Sequence, residues 1–428
     1  MGLVACAGTS TLVHSARNGE HATLRRDLAP RLAAATLGRA ESRELALATL
    51  ERELTTAEGE QAERRVLEAE ACVHQAARAL RLRSQRRDRA AAEAMLVLYE
   101  AGELPEHEAR AHTEDRDPAF VRVGVRALDR KEDHERRAAY LTDSDGALRA
   151  QAARAAMIAD DARDMPLLKE RARLDPEREV RSFAVRALAL LPDPPRELVS
   201  FFIERMAVEE SESIRGDLAV GLALSPMFER GGREELTRLL SSTTAKPSAE
   251  ERALIALLVM RTRTNETGLR GLAEQVLLTS LQSAPQPVRV LIVRAAPLSS
   301  APLRDAVAAI AKAEGAGSEL GQAALESLAH VPGSADGKSV LYEAAKVDGV
   351  LGSRARQVLA RLGDERVQAW LEHDLESADS VRRLGAARGL AALHRAGRAA
   401  ILLADSDPSV RTRAACVIAS DREHERAD

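Results

Sequence analysis

The sequence predicts an all-α chain built as an α-solenoid, a stack of antiparallel helix pairs, and three observations carry that expectation. Aromatic residues are only 2% of the chain, which leans instead on Ala, Leu, Arg and Glu, residues that favour helices over sheets. An apolar stripe at offsets 0, 4, 7 and 8 recurs along much of the chain, which is one face of an α-helix. An arginine directly after the first residue of that stripe returns at intervals near 30 residues.

Length and charge set the outer bounds. At 428 residues the chain exceeds what one compact core usually needs, so several domains or a repeat array are expected. Its 62 basic and 66 acidic residues leave a net charge of −4, which excludes a general attraction to nucleic acid or anionic lipid. Six of the 62 are lysines, and the arginine bias suits bidentate pairing with carboxylates. It also suggests a high-GC bacterial source. The three cysteines, Cys6, Cys72 and Cys416, form no disulfide framework and no paired zinc motif. Cys72 and Cys416, in Ala-rich helical stretches, read as buried inert thiols.

Residues 1–21 read as a leader and tether. "MGLVACAG" contains Leu3-Val4-Ala5-Cys6, which resembles the lipobox of bacterial lipoproteins, where cleavage precedes a cysteine that is then acylated. A secretory signal needs a basic segment and an apolar run of about 7–15 residues before the cleavage site, and only five residues precede Cys6. The match is therefore either the end of a leader that begins further upstream or a coincidence. The expected location follows that choice: the cell envelope as a lipoprotein if Cys6 is acylated, otherwise the cytoplasm. No stretch supplies the roughly 20 apolar residues of a membrane span.

Residues 22–110 read as an N-terminal helical region, with Leu45, Leu50 and Leu54, then Val66, Leu67, Val73 and Leu80, near helical spacing. Its basic run "RLRSQRRDR" at 81–89 lacks an aromatic residue to stack a base and reads as a solvated helix face.

Residues 111–420 carry the repeated unit, and 421–428 are a polar tail. In "DPEREVRSFAVRALALL" the stripe is Val180, Ala184, Ala187, Leu188 and Leu191. The same offsets hold Phe120, Gly124, Ala127, Leu128; Leu148, Ala152, Ala155, Ala156; Ile214, Leu218, Gly221, Leu222; Val288, Ile292, Ala295, Ala296; and Val410, Ala414, Val417, Ile418. The arginine after the first stripe position is Arg149, Arg181, Arg215, Arg289 and Arg411, with Arg354 and Arg382 in weaker copies. Six places before these stand Asp143, Asp175, Glu209, Ser283, Asp405, Asp348 and Glu376. Arg149 to Arg181 is 32 residues, Arg181 to Arg215 34, Arg354 to Arg382 28 and Arg382 to Arg411 29, room for two helices and two turns per copy. The longer gaps hold degenerate copies around 248–260 and 318–330.

An acid, an apolar residue, an arginine and then small and apolar residues, restated at this period, resemble the HEAT repeat in its short bacterial form, over about residues 111–420. The resemblance implies a superhelix whose second helices line a concave face, and a structural Arg/acid ladder between adjacent repeats. The first copy departs from it, with Val121 in the arginine position and Arg122 one place late.

Other chemistry is weak. "HEARAH" (His107 to His112) spaces its histidines at i, i+5 rather than the i, i+4 of the H-E-x-x-H zinc motif. "GSADGKS" (Gly333 to Ser339) is one residue short of a phosphate-binding loop and follows a helical run, so it reads as an inter-helix loop. No catalytic, cofactor-binding or metal site is expected, and no cofactor. The expected role is a non-catalytic scaffold binding protein partners on its concave surface, with a membrane reached only through a lipid on Cys6. The alternatives are a HEAT-like nucleic-acid-binding or DNA-repair protein, which wants a basic groove and aromatics for an extruded base, and a bilin-lyase-type enzyme.

Overall fold

A computed structural model describes residues 3–242, 247–262, 265–295, 300–329 and 335–421, and every regular element among them is helical. The fold is all-α. Two compact units divide it: Met1–Glu106 together with Ala335–Asp428, and His107–Ser334.

The first unit opens with α1 (Leu3–Asn18), α2 (His21–Ala33), α3 (Arg39–Thr56), α4 (Gly59–Ala69), α5 (Val73–Ser84) and α6 (Arg89–Glu100). Residues 7–21, read from the sequence as a tether, lie mostly within α1. Leu12, Val13 and Ala16 are buried there, and the helix packs against α3. Asp88 caps α6 by accepting the Ala91 amide at 2.9 Å.

The second unit holds α7 (Glu106–Arg110), α8 (Pro118–Arg126), α9 (His134–Leu141), α10 (Gly146–Ala159), α11 (Met165–Leu174), α12 (Arg178–Ala189), α13 (Arg196–Val208), α14 (Glu212–Ala223), α15 (Ser225–Met227), α16 (Arg233–Ser241), α17 (Ala249–Thr262), α18 (Thr267–Ser283), α19 (Gln286–Ala295), α20 (Ala301–Glu314) and α21 (Glu319–Ala329). Helices α8, α10, α12, α14, α17, α19 and α21 pack in series. They include the helices of this unit, α8, α10, α12, α14 and α19, that carry the apolar stripe. Val180, Ala184, Leu188, Ile214, Leu218 and Leu222 are each 0–1% exposed. The glycines in the stripe mark close approaches. A Cβ on Gly124 would lie 2.2 Å from the Thr113 amide nitrogen, and one on Gly221 2.4 Å from the Phe202 ring.

The first unit resumes with α22 (Ala335–Ala345), α23 (Val350–Arg361), α24 (Gln368–Asp374), α25 (Ser380–Ala392), a 3-10 stretch (Ala396–Ala404) and α26 (Pro408–Ala419). The segment read as the loop "GSADGKS" enters α22 at Ala335, while Gly333 and Ser334 lie outside the described residues. Helices α23, α25 and α26 pack in series, and α3 then packs on α26 and α5 on α3, while α2 packs on the 3-10 stretch. The N-terminal helices thus continue the series where the C-terminal copies end. A disulfide joins the two segments: Cys72, at the junction of α4 and α5, pairs with Cys416 of α26, with Cα atoms 5.3 Å apart. This corrects the reading of both as free thiols. The partners are 344 residues apart, so neither spacing nor local pattern advertises them.

Candidate functional site

The repeated arginines and acids come together in a consistent geometry. Arg149 directs Nε and Nη2 at both oxygens of Asp175, 2.7 and 2.9 Å away. Arg181 Nη2 donates to Glu209 at 3.2 Å, and Arg215 Nε donates to Glu251. The carboxylate on each rung thus belongs to the following copy. The acid six places before an arginine makes a different contact, through its backbone. Nη1 of Arg149, Arg181, Arg215 and Arg411 donates to the carbonyls of Asp143, Asp175, Glu209 and Asp405, at 2.8, 3.0, 2.6 and 2.7 Å. The acid's own side chain also tightens its turn, Asp143 accepting the amide of Asp145, Asp175 that of Glu177, Glu209 that of Ser211 and Asp405 that of Asp407. One residue therefore holds its own turn, its own helix and the neighbouring helix.

Burial opposes ionisation of Asp175, Glu209 and Glu251. The arginines and turn amides around them outweigh it and hold all three carboxyls below their ordinary values. The hydrogen bond to Asp175, despite burial, raises Arg149 above its already high value. These pairs are charge-assisted and desolvated, and they join helices rather than presenting a free group to a ligand.

In the first unit the sequence register slips at two copies. The rung arginine of α23 is Arg356, not Arg354: its Nη1 donates to Asp374 at 2.6 Å and its Nε to the Ala345 carbonyl at 2.7 Å. Gly349, just before α23, holds φ +117°, and Arg356 is the seventh residue of α23, where the rung arginines of α10, α12 and α14 are each the fourth of theirs. The rung arginine of α25 is Arg383, not Arg382. Its Nη1 donates to the Ser377 carbonyl at 2.8 Å and its Nε lies 2.8 Å from Asp405. Val381, which set the mistaken register, is 75% exposed, and Glu376 is exposed as well. Arg382 instead pairs with buried Asp374 and with exposed Asp348. The last rung leaves the array of copies: Arg411 Nε donates to Glu53 of α3 at 2.6 Å.

A second set of rungs escaped the sequence reading. Arg110 pairs with Asp133, and Arg137 Nε donates to Asp164 at 2.6 Å while its Nη1 donates to the Leu128 and Arg130 carbonyls. Asp133 and Asp164 stand 31 residues apart in "LDRKED" and "DDARD", a spacing that would have exposed them. Of the metal-type clusters among the described residues, His134, Asp161 and Asp164 are drawn together. Arg137 and Arg163 already occupy those carboxylates, so the cluster is a charge network. His112 pairs with Asp115 and packs on Phe120. Trp370 is half-buried against Tyr342, with ring centroids 5.4 Å apart. Cys6 lies on α1, where its side chain is outside what the structure describes.

The second unit holds a cleft of about 1130 Å³ lined chiefly by α14, α17 and the turn before α14. Val220, Leu254 and Leu258 line it, and Val220 and Leu254 are 45% and 42% exposed. Its rim carries Glu210, Glu212 and Glu250 against Arg178, while Arg238 is engaged by Glu235. Glu210 and Glu250 form no ion pair among the described residues, and Glu212 stands 3.9 Å from Arg215, itself committed to Glu251. Gly216 faces the opening with nothing within 4 Å of where a Cβ would be. The cleft thus offers an apolar floor and an acidic rim.

No family model matches the chain, and no curated protein matches it. One solved structure, an engineered protein from a structural genomics consortium, is 19% identical and covers 90% of this chain and 98% of its own, with a TM-score of 0.27. That is too low for the likeness to speak to the fold. No described helix is long and apolar enough to cross a membrane.

Proposed function

We propose that the chain is a non-catalytic scaffold of the HEAT-like α-solenoid kind, and that the cleft between α14 and α17 holds a basic amphipathic segment of a partner protein. The cleft's composition carries the reading: half-exposed Val220 and Leu254 take apolar anchors, and Glu210 and Glu250 at the rim take cations. The rungs support the architecture, because a bond repeated from one copy to the next is what a stack of equal units requires. The arginines of those rungs are structural in this account. Attachment to the cell envelope is proposed through an acylated Cys6, which intact-mass measurement of the membrane-fraction protein tests directly.

The cleft is tested with an array of synthetic peptides varied in charge and amphipathicity. Basic amphipathic peptides should bind the wild-type chain, and Gly216→Phe, whose Cβ meets no neighbour and whose ring projects into the opening, should abolish binding while leaving the helical circular dichroism unchanged. Peptide binding that survives Gly216→Phe overturns the site. Tight, salt-dependent binding to DNA, or turnover on a damaged-base substrate, overturns the scaffold reading in favour of a nucleic-acid enzyme.

A further inference from the structure

Two of the chain's three cysteines, 344 residues apart, meet with their Cα atoms 5.3 Å apart, inside the span a disulfide accepts. Each is nearly inaccessible, Cys72 being 2% and Cys416 5% exposed. They meet where the N-terminal helices dock on the last copies, and polar contacts join the same two segments. Arg411 pairs with Glu53, Arg413 and Ser409 reach Glu68, Arg398 donates to the Leu32 carbonyl at 2.6 Å, and Arg39 donates to the His394 carbonyl at 2.8 Å. All these contacts join segments more than 300 residues apart in sequence, so each must work against the entropy of closing a very long loop. A covalent link at that place removes most of that cost, because it holds the two segments together in the unfolded chain as well.

We propose that Cys72–Cys416 is a structural staple of the first unit, acquired in an oxidising compartment. In the forming step the two thiols lose two protons and two electrons to the disulfide of a thiol oxidoreductase. One thiolate attacks that disulfide to give a mixed disulfide, and the second thiolate displaces the enzyme's thiol, leaving the staple and a reduced dithiol. Reducing cytosol does not sustain such a bond in most organisms. Burial of both sulfurs argues for a permanent link rather than a switch, since exchange needs an accessible sulfur. The staple does not rest on the cleft or on acylation of Cys6, and it points to export independently of both.

The test uses the full chain, produced once in the cytosol of a reducing host and once exported to an oxidising compartment, with thiols alkylated in denaturant. The exported chain should yield a Cys72–Cys416 cross-linked peptide on non-reducing digestion, with neither of those cysteines alkylated. The cytosolic chain should carry both as free thiols and form the same link when refolded from denaturant with oxidised glutathione. Reduction of the exported chain, or Cys416→Ala, should lower the melting temperature read at Trp370 by about 10 °C, and Gly216→Phe should leave it unchanged. Free Cys72 and Cys416 in the exported chain overturn the proposal, as does a link from either to Cys6. The thiol count on the wild-type chain stands even if Cys416→Ala fails to fold.

Discussion

The rungs of the second unit join residues close in sequence, 26, 28 and 36 apart for Arg149–Asp175, Arg181–Glu209 and Arg215–Glu251. The first unit uses the same joint over a different range, its final rung, Arg411–Glu53, spanning 358 residues. The chemistry is alike in the two units, a desolvated arginine fork on a carboxylate, but its task differs. In the second unit a rung couples one copy to the next and can form as soon as both exist. In the first it also recruits helices that belong to no copy, so their stability hangs on contacts with the far end of the chain.

That contrast can be broken most severely at Glu53. Glu53→Ala leaves the Arg411 guanidinium, 10% exposed, without its carboxylate, a loss expected at about 3–5 kcal/mol. Urea unfolding read by the single Trp370, which lies in the first unit, should shift accordingly, while hydrogen exchange across α10–α14 should not. An unshifted Trp370 transition would show that the two ends are held without this rung.

The register of the first unit comes next. Arg383→Ala, which frees buried Asp405 and the Ser377 carbonyl, is expected to cost about 2–3 kcal/mol, and Arg382→Ala, which leaves Asp374 still bonded to Arg356, only about 1 kcal/mol. Equal effects on Trp370-detected unfolding would refute the assignment.

A comparable loss confined to the second unit is expected from Gly124→Ala. Its new Cβ would collide with the Thr113 backbone, at a cost of about 1–3 kcal/mol, seen as faster exchange in α8 with Trp370 unfolding unchanged.

The smallest difference is in acid. Asp175, Glu209 and Glu251 have carboxyls lower in the folded than in the unfolded chain. Their contribution is therefore complete above the unfolded values of about 3.9 and 4.3 and is lost as pH falls through the lower folded values. Exchange in α10–α17 should accelerate below about pH 4, and Asp175→Asn should make it fast already at neutral pH.

The stripe was readable from the sequence because burial along a helix follows the period of the backbone, and residues such as Val180, Leu218 and Ala414 could only be filling a core. The rung arginines were readable because they recur. Their partners were not. A fixed distance of six residues records the bond from Arg181 to its own turn's carbonyl at Asp175, while the carboxylate that receives Arg181 is Glu209, one copy onward. Arg382 follows apolar Val381, where a stripe could start, and only the exposure of Val381 reveals the slip to Arg383, while Arg354 follows Ser353 and has no such cue. The pairing of Cys72 with Cys416 and of Arg411 with Glu53 has no signature in any window of sequence, because the fold alone brings those segments together. The cleft is likewise legible only in three dimensions, since Val220, Leu254 and Glu210 occupy positions that vary between copies.

The docking of α3 on α26 also constrains how the chain can be made. At roughly 5–20 residues per second, Arg411 leaves the ribosome about 20–70 s after Glu53. Through that interval the face of α3 that packs on α26 has no helix to cover it. For a chain that is secreted unfolded the delay includes translocation.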